Sequence, residues 1–486
     1  MERQPNILIF MTDHQRGDTV IDGNGTIMPN IKKFRENGLT FTNCFCPMPH
    51  CCPSRASFFT GLYPSQHGVW NNLLNTMALS DGLKDGVRLF SEDLRDGGYR
   101  LGYSGKWHVS NVENPVNRGF EELFVGSKAG DLNMSTWDEI EKSAPISMRH
   151  RQIGRMEGQI LRNGYSTHQL YGRKDEPNKD ENTVSLAVNK IREYANEQKP
   201  WCLYVGTGMP HTPYYVPQKY LDMYPVENVQ LPKSYYDTLE DKPNYYRKLR
   251  QMCFGQLSEL EYRQAIRHFR AMCTYLDELF GRLMTALEET NQLGNTLVLY
   301  TSDHGDYAGE HGLFHKGVPA FRGAYNVPAV IGWPASISKP GSTVDELVSI
   351  ADFAPTFLDA AGIKPVNKMI GASLLPFIKN IKSENWRNAI FAQCNGVENY
   401  FTQRSVITKD YRYTYNGFDF DEFYDLRNDP DEMINRNNDH EFDEIKKSMC
   451  RQMWEFARET GDGLAEGGSY VMVSTAAYGP EVIFQP

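Results

Sequence analysis

Two short motifs in the sequence place an aspartate and a histidine directly after a predicted strand. Asp13 and His14 follow one short apolar run, and Asp303 and His304 follow another. Ligands of open parallel sheets bind at the carboxyl ends of the strands, and carboxylate and imidazole together suit a divalent cation. An isolated aspartate of this kind often only caps a turn, but two such motifs together favour a metal site.

A second group of reactive residue types lies between positions 44 and 61. Nine cysteines in a chain of 486 residues argue against a disulfide framework, yet four of them fall close together: Cys44, Cys46, Cys51 and Cys52. A proline followed by a helix-forming stretch places Cys51 in a loop at a helix N-terminus, which is a natural anion site. Arg55 would add a fixed positive charge within the first turn.

The run 51–61 carries a recognisable spacing: a cysteine, any residue, Pro, Ser, Arg, and Thr-Gly five residues further on. It resembles the signature of the type I sulfatases, the formylglycine-dependent branch of the alkaline phosphatase superfamily. In that family the first cysteine is oxidised after translation to formylglycine, whose hydrate is the nucleophile, and Cys51 matches that position. The resemblance implies a partner enzyme that modifies Cys51, either a formylglycine-generating or an anaerobic sulfatase-maturating enzyme. A structural or merely reactive thiol is the alternative.

Further motifs follow in the order that this family shows. Residues 105–108 resemble its second signature, 209–213 a loop whose histidine contacts the sulfate, 311–317 a loop that supplies a lysine, and 423–430 a stretch of the C-terminal subdomain. The resemblance therefore runs from residue 6 to about 435. Eight of the twelve histidines lie in or beside these motifs: His14, His50, His67, His108, His211, His304, His311 and His315. Among these, His50, His67 and His311 are interpreted as packing or loop residues.

The resemblance also implies a role for each matched residue. The metal would be held by four residues: Asp13, Cys51 as formylglycine, Asp303 and His304. The sulfate oxygens would be stabilised by three cations: Arg55, Lys106 and Lys316. His211 is predicted to protonate the leaving alcohol, and His108 to take a proton from the nucleophile in the second half of the reaction.

The family resemblance makes calcium the expected metal, with manganese as the alternative. Many sulfatases have two adjacent acids at the first metal motif and Asp-Asn at the second, whereas this chain has Asp-His at both. Calcium prefers oxygen ligands, and imidazole suits manganese or zinc better. His14 is left outside the predicted ligand set.

Strand and helix patterns alternate along most of the chain, which predicts an α/β fold with a mostly parallel central sheet sandwiched by helices. The clearest helix is predicted over residues 258–291, because its apolar residues step by three and four along one face. After about residue 380, short strands at hairpin spacing and a final helix predict a smaller C-terminal α+β subdomain with an antiparallel sheet.

This pattern divides the chain into a catalytic domain, 1–380, and a C-terminal subdomain, 381–486. The polar segment 128–182 is interpreted as a lid insertion or a solvated loop. Its basic residues Arg149, His150 and Arg151 are candidates for contacting an acidic group of the substrate. The glycine-rich tail after residue 460 fits either a cover over the site or an oligomer contact.

Composition excludes several classes of protein. Apolar residues make up 40% and the net charge is −10, which fits a soluble globular protein and lacks the basic footprint of a general nucleic-acid binder. No apolar run approaches the length of a membrane span, and the N-terminal apolar stretch is too short for a signal peptide. We therefore expect a cytoplasmic enzyme acting on a small sulfated substrate, with homo-oligomerisation possible.

Two hydrolytic activities compete within the superfamily. The first is hydrolysis of a sulfate monoester, and the alternative is a phosphonate monoester hydrolase or phosphodiesterase that uses the same nucleophile. Lys106 and Lys316 favour the sulfate, because the alternative esters present one fewer anionic oxygen. A catalytically inactive relative retained as a binding protein is a third possibility, disfavoured because every matched catalytic position is filled.

Overall fold

The structure is a computed structural model that describes residues 4–73, 77–126, 155–162, 166–381, 385–397, 399–466 and 471–484. Its strands are β1 (Asn6–Thr12), β2 (Leu39–Phe45), β3 (Arg100–Gly105), β4 (Glu121–Val125), β5 (Gln159–Arg162), β6 (Ser166–Gln169), β7 (Tyr171–Arg173), β8 (Trp201–Gly206), β9 (Tyr214–Val216), β10 (Thr296–Ser302), β11 (Ala329–Gly332), β12 (Ser342–Ser349), β13 (Ile390–Cys394), β14 (Gln403–Ile407), β15 (Tyr411–Asn416) and β16 (Glu422–Asp425).

The α-helices of the described residues range from single turns to 31 residues. They are α1 (Pro29–Glu36), α2 (Cys51–Thr60), α3 (Pro64–His67), α4 (Phe90–Asp96), α5 (Lys179–Tyr194), α6 (Gln218–Leu221), α7 (Asn244–Met252), α8 (Glu259–Glu289), α9 (Arg322–Tyr325), α10 (Phe353–Ala361), α11 (Leu375–Ile378), α12 (Asp443–Glu459), α13 (Val471–Ser474) and α14 (Pro480–Ile483). Within this described part of the chain, no helix is both long and apolar enough to cross a bilayer.

An eight-stranded sheet forms the centre, in the order β12-β2-β11-β10-β1-β8-β3-β4. All neighbouring pairs are parallel except those of β11, which runs antiparallel to both β10 and β2. Strand β1 is completely buried along its length, as expected for a central strand covered on both faces. The predicted mostly parallel α/β fold is therefore confirmed.

The longest helix, α8, fixes the helical layer against this sheet. Ser258 caps its N-terminus and forms a capping box with Glu261, which satisfies backbone donors that a helix end leaves unpaired. Phe280 on its buried face lies 5.5 Å from the ring of Phe10 on β1 and 5.1 Å from that of Tyr300 on β10. The strands that lead into both Asp-His motifs therefore pack directly on α8.

A second, four-stranded antiparallel sheet follows in the order β13-β14-β15-β16, with α12 packed on it through Trp454 and Tyr415. This confirms the predicted antiparallel C-terminal sheet. Its first strand is tied to the larger domain, because Gln393 donates its backbone N–H to the Pro47 carbonyl at 2.8 Å and its side-chain Oε1 accepts the backbone N–H of Ser65. The exact boundary near residue 380 stays a prediction.

The predicted lid segment, 128–182, is only partly described. Its residues 128–154 and 163–165, with the basic cluster Arg149, His150 and Arg151, lie outside the described residues. In the described part, β5 and β6 form a hairpin and β7 pairs with β9. Helix α5 begins at Lys179 and packs against β3 and α8, so the last residues of the segment belong to the main fold.

Candidate active site

Four adjacent parallel strands, β10, β1, β8 and β3, end at one edge of the sheet. The last residues of β1 and β10 are direct register partners, so Asp13 and Asp303 emerge side by side. Strand β8 leads into the loop of His211, and β3 leads into Lys106. The close approach of β3 and β8 depends on Gly105, because a Cβ there would collide with the carbonyl oxygen of Gly206.

Helix α2 brings Cys51 to this edge as its first residue. Every residue of the helix is buried, and Cys51 itself is 1% exposed. The hydroxyl of Ser54 donates a hydrogen bond to the backbone carbonyl of Asp303, which joins the helix to the end of β10. The helix stops at Gly61, whose φ of 68° is the left-handed conformation that glycine tolerates best.

The side chains of Asp13, His14, Cys51 and His304 form a fully buried cluster in which one ligand atom from each lies within 4.8 Å of the others. The Cys51 Sγ lies 3.3 Å from His304 Nε2 and 3.6 Å from Asp13 Oδ1. His304 Nε2 also lies 3.6 Å from Asp303 Oδ1. Such separations are compatible with donor atoms that share one ion at about 2.0–2.4 Å.

Both histidines present an unprotonated nitrogen to this cluster. His14 Nδ1 lies 3.1 Å from Asp306 Oδ2, and His304 Nδ1 lies 2.9 Å from the Gly305 carbonyl oxygen. Since these partners only accept, each Nδ1 carries the proton and each Nε2 keeps its lone pair, the arrangement typical of metal-ligating histidine. The cluster therefore fits a divalent cation, and His14, left outside the predicted set, belongs to it.

Sequence reasoning also missed Asp306, which positions His14. The Asp306 carboxylate accepts hydrogen bonds from the Tyr214 hydroxyl at 2.8 Å and from the backbone N–H of His315 at 3.0 Å. Burial raises the pKa of Asp306 to about 6. Asp306 stands three residues after Asp303, and that spacing was a signal in the sequence. The contact between its carboxylate and the His14 ring, however, depends on His14 adopting a φ of 72°.

A half-buried rim of two lysines and two histidines lies over the buried cluster: Lys106, His108, His211 and Lys316. Lys106 forms an ion pair with the Asp13 carboxylate. Lys316 donates to Cys51 Sγ at 3.0 Å and to His14 Nε2. The structure thus brings all four residues together at the solvent side of Cys51.

Arg55 lies beneath the cluster rather than at the rim. Its Nε donates to Asp303 Oδ2 at 2.8 Å, and its Nη1 donates to the Tyr204 hydroxyl at 2.8 Å. Its Nη2 lies 3.7 Å from Asp13 Oδ2. These contacts orient the two carboxylates, so the predicted contact of Arg55 with sulfate oxygens stays a prediction.

Positive charges beside the cluster favour the anionic forms of Cys51 and Asp13. Burial alone would raise the pKa of the Cys51 thiol, but the positive charges of Lys106 and Lys316 hold it well below its usual range. Burial would likewise raise the pKa of Asp13, yet mainly Lys106 keeps it at about 2. The pKa of Asp303 is raised, first by burial and then by the neighbouring Asp13.

The two rim histidines are held neutral by their surroundings. Burial, followed by the charge of Lys316, lowers the pKa of His211 to about 4. Burial and Lys106 also lower the pKa of His108. The His211 ring lies 4.0 Å from that of His14, and its loop is fixed because the Asp180 carboxylate accepts the backbone N–H groups of 208 and 209.

The histidines interpreted as packing residues divide into two kinds. His67 Nε2 lies 2.9 Å from Ser57 Oγ, and His311 Nδ1 lies 2.7 Å from Asp237 Oδ2; both have structural partners away from Cys51. His50, directly before Cys51, is 4% exposed, and neither of its ring nitrogens has a hydrogen-bond partner among the described residues.

Comparison with known proteins agrees with this geometry. The sulfatase family model matches residues 5–363, and the model of the C-terminal region of N-sulphoglucosamine sulphohydrolase matches residues 309–459. An arylsulfatase of Clostridium perfringens is 27% identical, with 93% of this chain and 94% of the relative covered. A choline-sulfatase of Rhizobium meliloti is 28% identical, with 89% and 82% covered. The chain belongs to the sulfatase family, whose type I members are enzymes that hydrolyse sulfuric esters.

Solved structures share the fold across nearly the whole chain. One, a complex of a protein with its substrate D-glucosamine-2-N,6-O-disulfate, has a TM-score of 0.73 at 22% identity and covers 96% of this chain and all of its own. The phosphonate monoester hydrolase of Agrobacterium radiobacter has a TM-score of 0.74 at 22% identity, with 94% and 96% covered. These likenesses show that the α/β fold with its C-terminal antiparallel sheet is shared with both proteins.

Proposed function

We propose that this enzyme hydrolyses a sulfate monoester, of a carbohydrate or another small molecule, to an alcohol and inorganic sulfate. The observation that carries the proposal is the position of Cys51. It lies at the floor of the site against Asp13 and His304, beneath the two lysines of the rim. A sulfate ester needs cations around its oxygens, a nucleophile below the sulfur and an acid for the departing oxygen, and this arrangement supplies groups of each kind.

The rim residues divide this work. Lys106 and Lys316 bind the sulfate oxygens, which enter as an anion between two ammonium groups. His211 protonates the leaving oxygen, and a bound sulfate raises its otherwise depressed pKa toward the range that this role requires. His108 accepts a proton from the nucleophile in the second half of the reaction. Arg55 keeps the carboxylates of Asp13 and Asp303 in place.

Asp13, Asp303, His304 and the modified Cys51 would hold one divalent cation, joined by His14. When present, the cation supplies Lewis-acid polarisation of the sulfate oxygens and formylglycine supplies the nucleophilic hydroxyl. Calcium is the family expectation, and the second imidazole supports manganese. Elemental analysis of protein purified without chelator tests this: a zinc stoichiometry near one would contradict both ions.

Conversion of Cys51 requires a maturation enzyme, which we propose acts before the fold closes, since the thiol is 1% exposed. The test combines mass spectrometry of the peptide containing Cys51 with the Cys51→Ala variant. We expect the aldehyde in active protein, and turnover lost in the variant with an unchanged thermal unfolding curve. Turnover by Cys51→Ala above background would contradict the proposed nucleophile.

A phosphonate monoester hydrolase of the same superfamily is the alternative activity, supported by the shared fold at a TM-score of 0.74. We propose sulfate as the preferred substrate because two rim lysines are available for three sulfate oxygens.

A cytoplasmic location and a small imported substrate complete the proposal. Separating cytoplasmic from periplasmic or secreted fractions and measuring activity in each tests the location.

A further inference from the structure

A cavity of about 340 Å³ lies beside the rim and shares His211 with it. Its volume falls at the lower end of the range of roughly 300–1,000 Å³ typical of small-molecule sites. His211 is the residue proposed to protonate the leaving oxygen, and its other side faces the cluster through the ring of His14. The part of a substrate that departs from the sulfur would therefore extend into this cavity, which we call the leaving-group cavity.

The leaving-group cavity has a largely apolar wall. Met209 and Met272 are almost fully buried behind it, whereas the ring of Tyr215 is 38% exposed at its margin. The hydroxyl of Tyr275, a further wall residue, donates to Glu181 outside the lining at 2.7 Å, so this residue presents its ring to the cavity. Thioether and aromatic surfaces of this kind accommodate the face of an aryl or sugar ring.

Charge at the margin of the cavity is supplied by two exposed lysines. Lys174 and Lys179 line it. Neither forms an ion pair within the part of the chain that the structure describes, and Lys179 Nζ donates a long hydrogen bond of 3.5 Å to the Gly126 carbonyl oxygen. Two acids also line it. Asp180 uses both carboxylate oxygens to accept backbone N–H groups, which leaves Glu176 as the one exposed carboxylate of the lining.

We propose that the leaving-group cavity binds the ring of the alcohol and that Lys174 and Lys179 bind a second anionic group on that ring, a carboxylate or a further sulfate. The inference rests on the proposed function, since it assumes that a sulfate ester is cleaved at Cys51. Ammonium groups at the margin attract such a group and repel a quaternary ammonium. The preferred substrates are therefore sulfate esters of anionic rings, and a cationic leaving group is disfavoured.

The test compares four sulfate esters built on one aryl ring: phenyl sulfate, meta-carboxyphenyl sulfate, resorcinol disulfate and meta-trimethylammoniophenyl sulfate. For each ester, kcat/KM is measured for the parent enzyme and for the double variant Lys174→Ala/Lys179→Ala, and the ratio of the two cancels the reactivity of the leaving group. The matched control, Lys339→Ala/Lys379→Ala, removes the same charge from two exposed lysines outside the cavity.

We expect the cavity variant to lose about tenfold or more in kcat/KM on the two anionic esters, mainly through KM, and less than about threefold on phenyl sulfate. The cavity variant should cleave the cationic ester as well as the parent enzyme does, or better. The carboxylate and disulfate arms distinguish the two sources of the second charge. An equal change on all four esters, or none, would overturn the inference while sulfate hydrolysis itself stands. Absence of sulfate hydrolysis by protein with converted Cys51 would instead overturn the proposed function, and the inference with it.

Discussion

The orientation of His14 is determined by one carboxylate, that of Asp306. The backbone of His14 lies in the left-handed region, with a φ of 72°, where non-glycine residues occur mainly when the surroundings hold them. The Asp306 carboxylate accepts a hydrogen bond from Nδ1 of His14, so that Nε2 of His14 faces Cys51 and His304. The sequence placed His14 beside a metal motif, but a backbone conformation that no local pattern predicts decides which way its ring points.

Asp306→Asn should weaken metal binding by about 10- to 100-fold, because residues that fix the tautomer of a metal-binding histidine contribute this much. The measurement is activity as a function of added Ca²⁺ or Mn²⁺ after chelator treatment, with the thermal unfolding curve as a check on folding. Asp345→Asn, which changes a carboxylate that is 75% exposed, is the matched control. Equal metal affinity in Asp306→Asn and the parent enzyme would contradict the role given to His14.

Most residues of the site could be predicted from the sequence because they lie in short, rigid motifs at strand ends. Asp13, Cys51 and His304 are brought together, and the two rim lysines contact Cys51 and Asp13. Arg55 contacts the carboxylates of Asp13 and Asp303, and its expected contact with the sulfate stays a prediction. Sequence spacing fixes which turn of α2 carries Arg55, but not whether its long side chain bends toward the floor or the rim.

At the scale of the elements, helix α8 packs against both strands that lead into the metal motifs. Phe280 packs against Phe10, Phe34 and Tyr300 at centroid distances between 5.1 and 5.5 Å. Phe280→Ala should lower the free energy of unfolding by about 3–5 kcal/mol, since it removes a buried aromatic ring and leaves a cavity. Urea unfolding measures the loss.

Leu260→Ala on the same helix provides the control, because Leu260 is 56% exposed. Its effect should stay within about 0.5 kcal/mol. A Phe280→Ala variant as stable as Leu260→Ala would mean that α8 does not pack on the sheet as described.

His67 gives helix α2 a pH-dependent stability. Its Nδ1 accepts the backbone N–H of Val69 at 3.1 Å, so Nε2 carries the proton and donates to Ser57 on α2. Burial, then the charge of Lys84, lowers the pKa of His67 to about 3. In the unfolded chain the pKa of His67 is near 6.5. As the pH falls below 6.5, the unfolded chain therefore binds a proton at His67 and the folded chain does not.

Through this group, the free energy of unfolding should fall by about 1.4 kcal/mol for each pH unit between 6.5 and 3. Above pH 6.5 this loss should be absent. His67→Gln removes this dependence. Urea unfolding at pH 7.5, 6 and 5 should show that the free energy of unfolding decreases less in the variant than in the parent protein as the pH falls. Parallel stability profiles for the two proteins would contradict a buried neutral His67.

Helices with a clear period and strands with a continuous apolar run were predictable, whereas strands with an interrupted apolar pattern were not. The helix predicted over 258–291 is α8, with Ser258 as its cap. Strand β12 was missed because it lies at the edge of the sheet and exposes charged residues such as Asp345. Strand β2 was missed because polar residues interrupt its apolar pattern, although its position decides where α2 delivers Cys51.

For the whole molecule, the sheet order explains why residues far apart in sequence form one site. The chain reaches the same edge at β1, β3, β8 and β10, and these four strands are neighbours. Alternation of strands and helices predicts such an edge, but the order of the strands comes from packing that the pattern does not contain. The C-terminal sheet contacts the loop before Cys51 through Gln393, a long-range contact of the same kind.

The proposed sulfate hydrolysis is tested by kcat/KM for an aryl sulfate against the matched aryl phosphonate monoester, on one preparation in which mass spectrometry shows Cys51 converted. We expect a preference for the sulfate of about 100-fold or more, because both rim lysines then contact sulfate oxygens in the transition state. Cys51→Ala should be inactive on both esters. A preference for the phosphonate would contradict sulfate monoester hydrolysis and assign the site to the alternative activity.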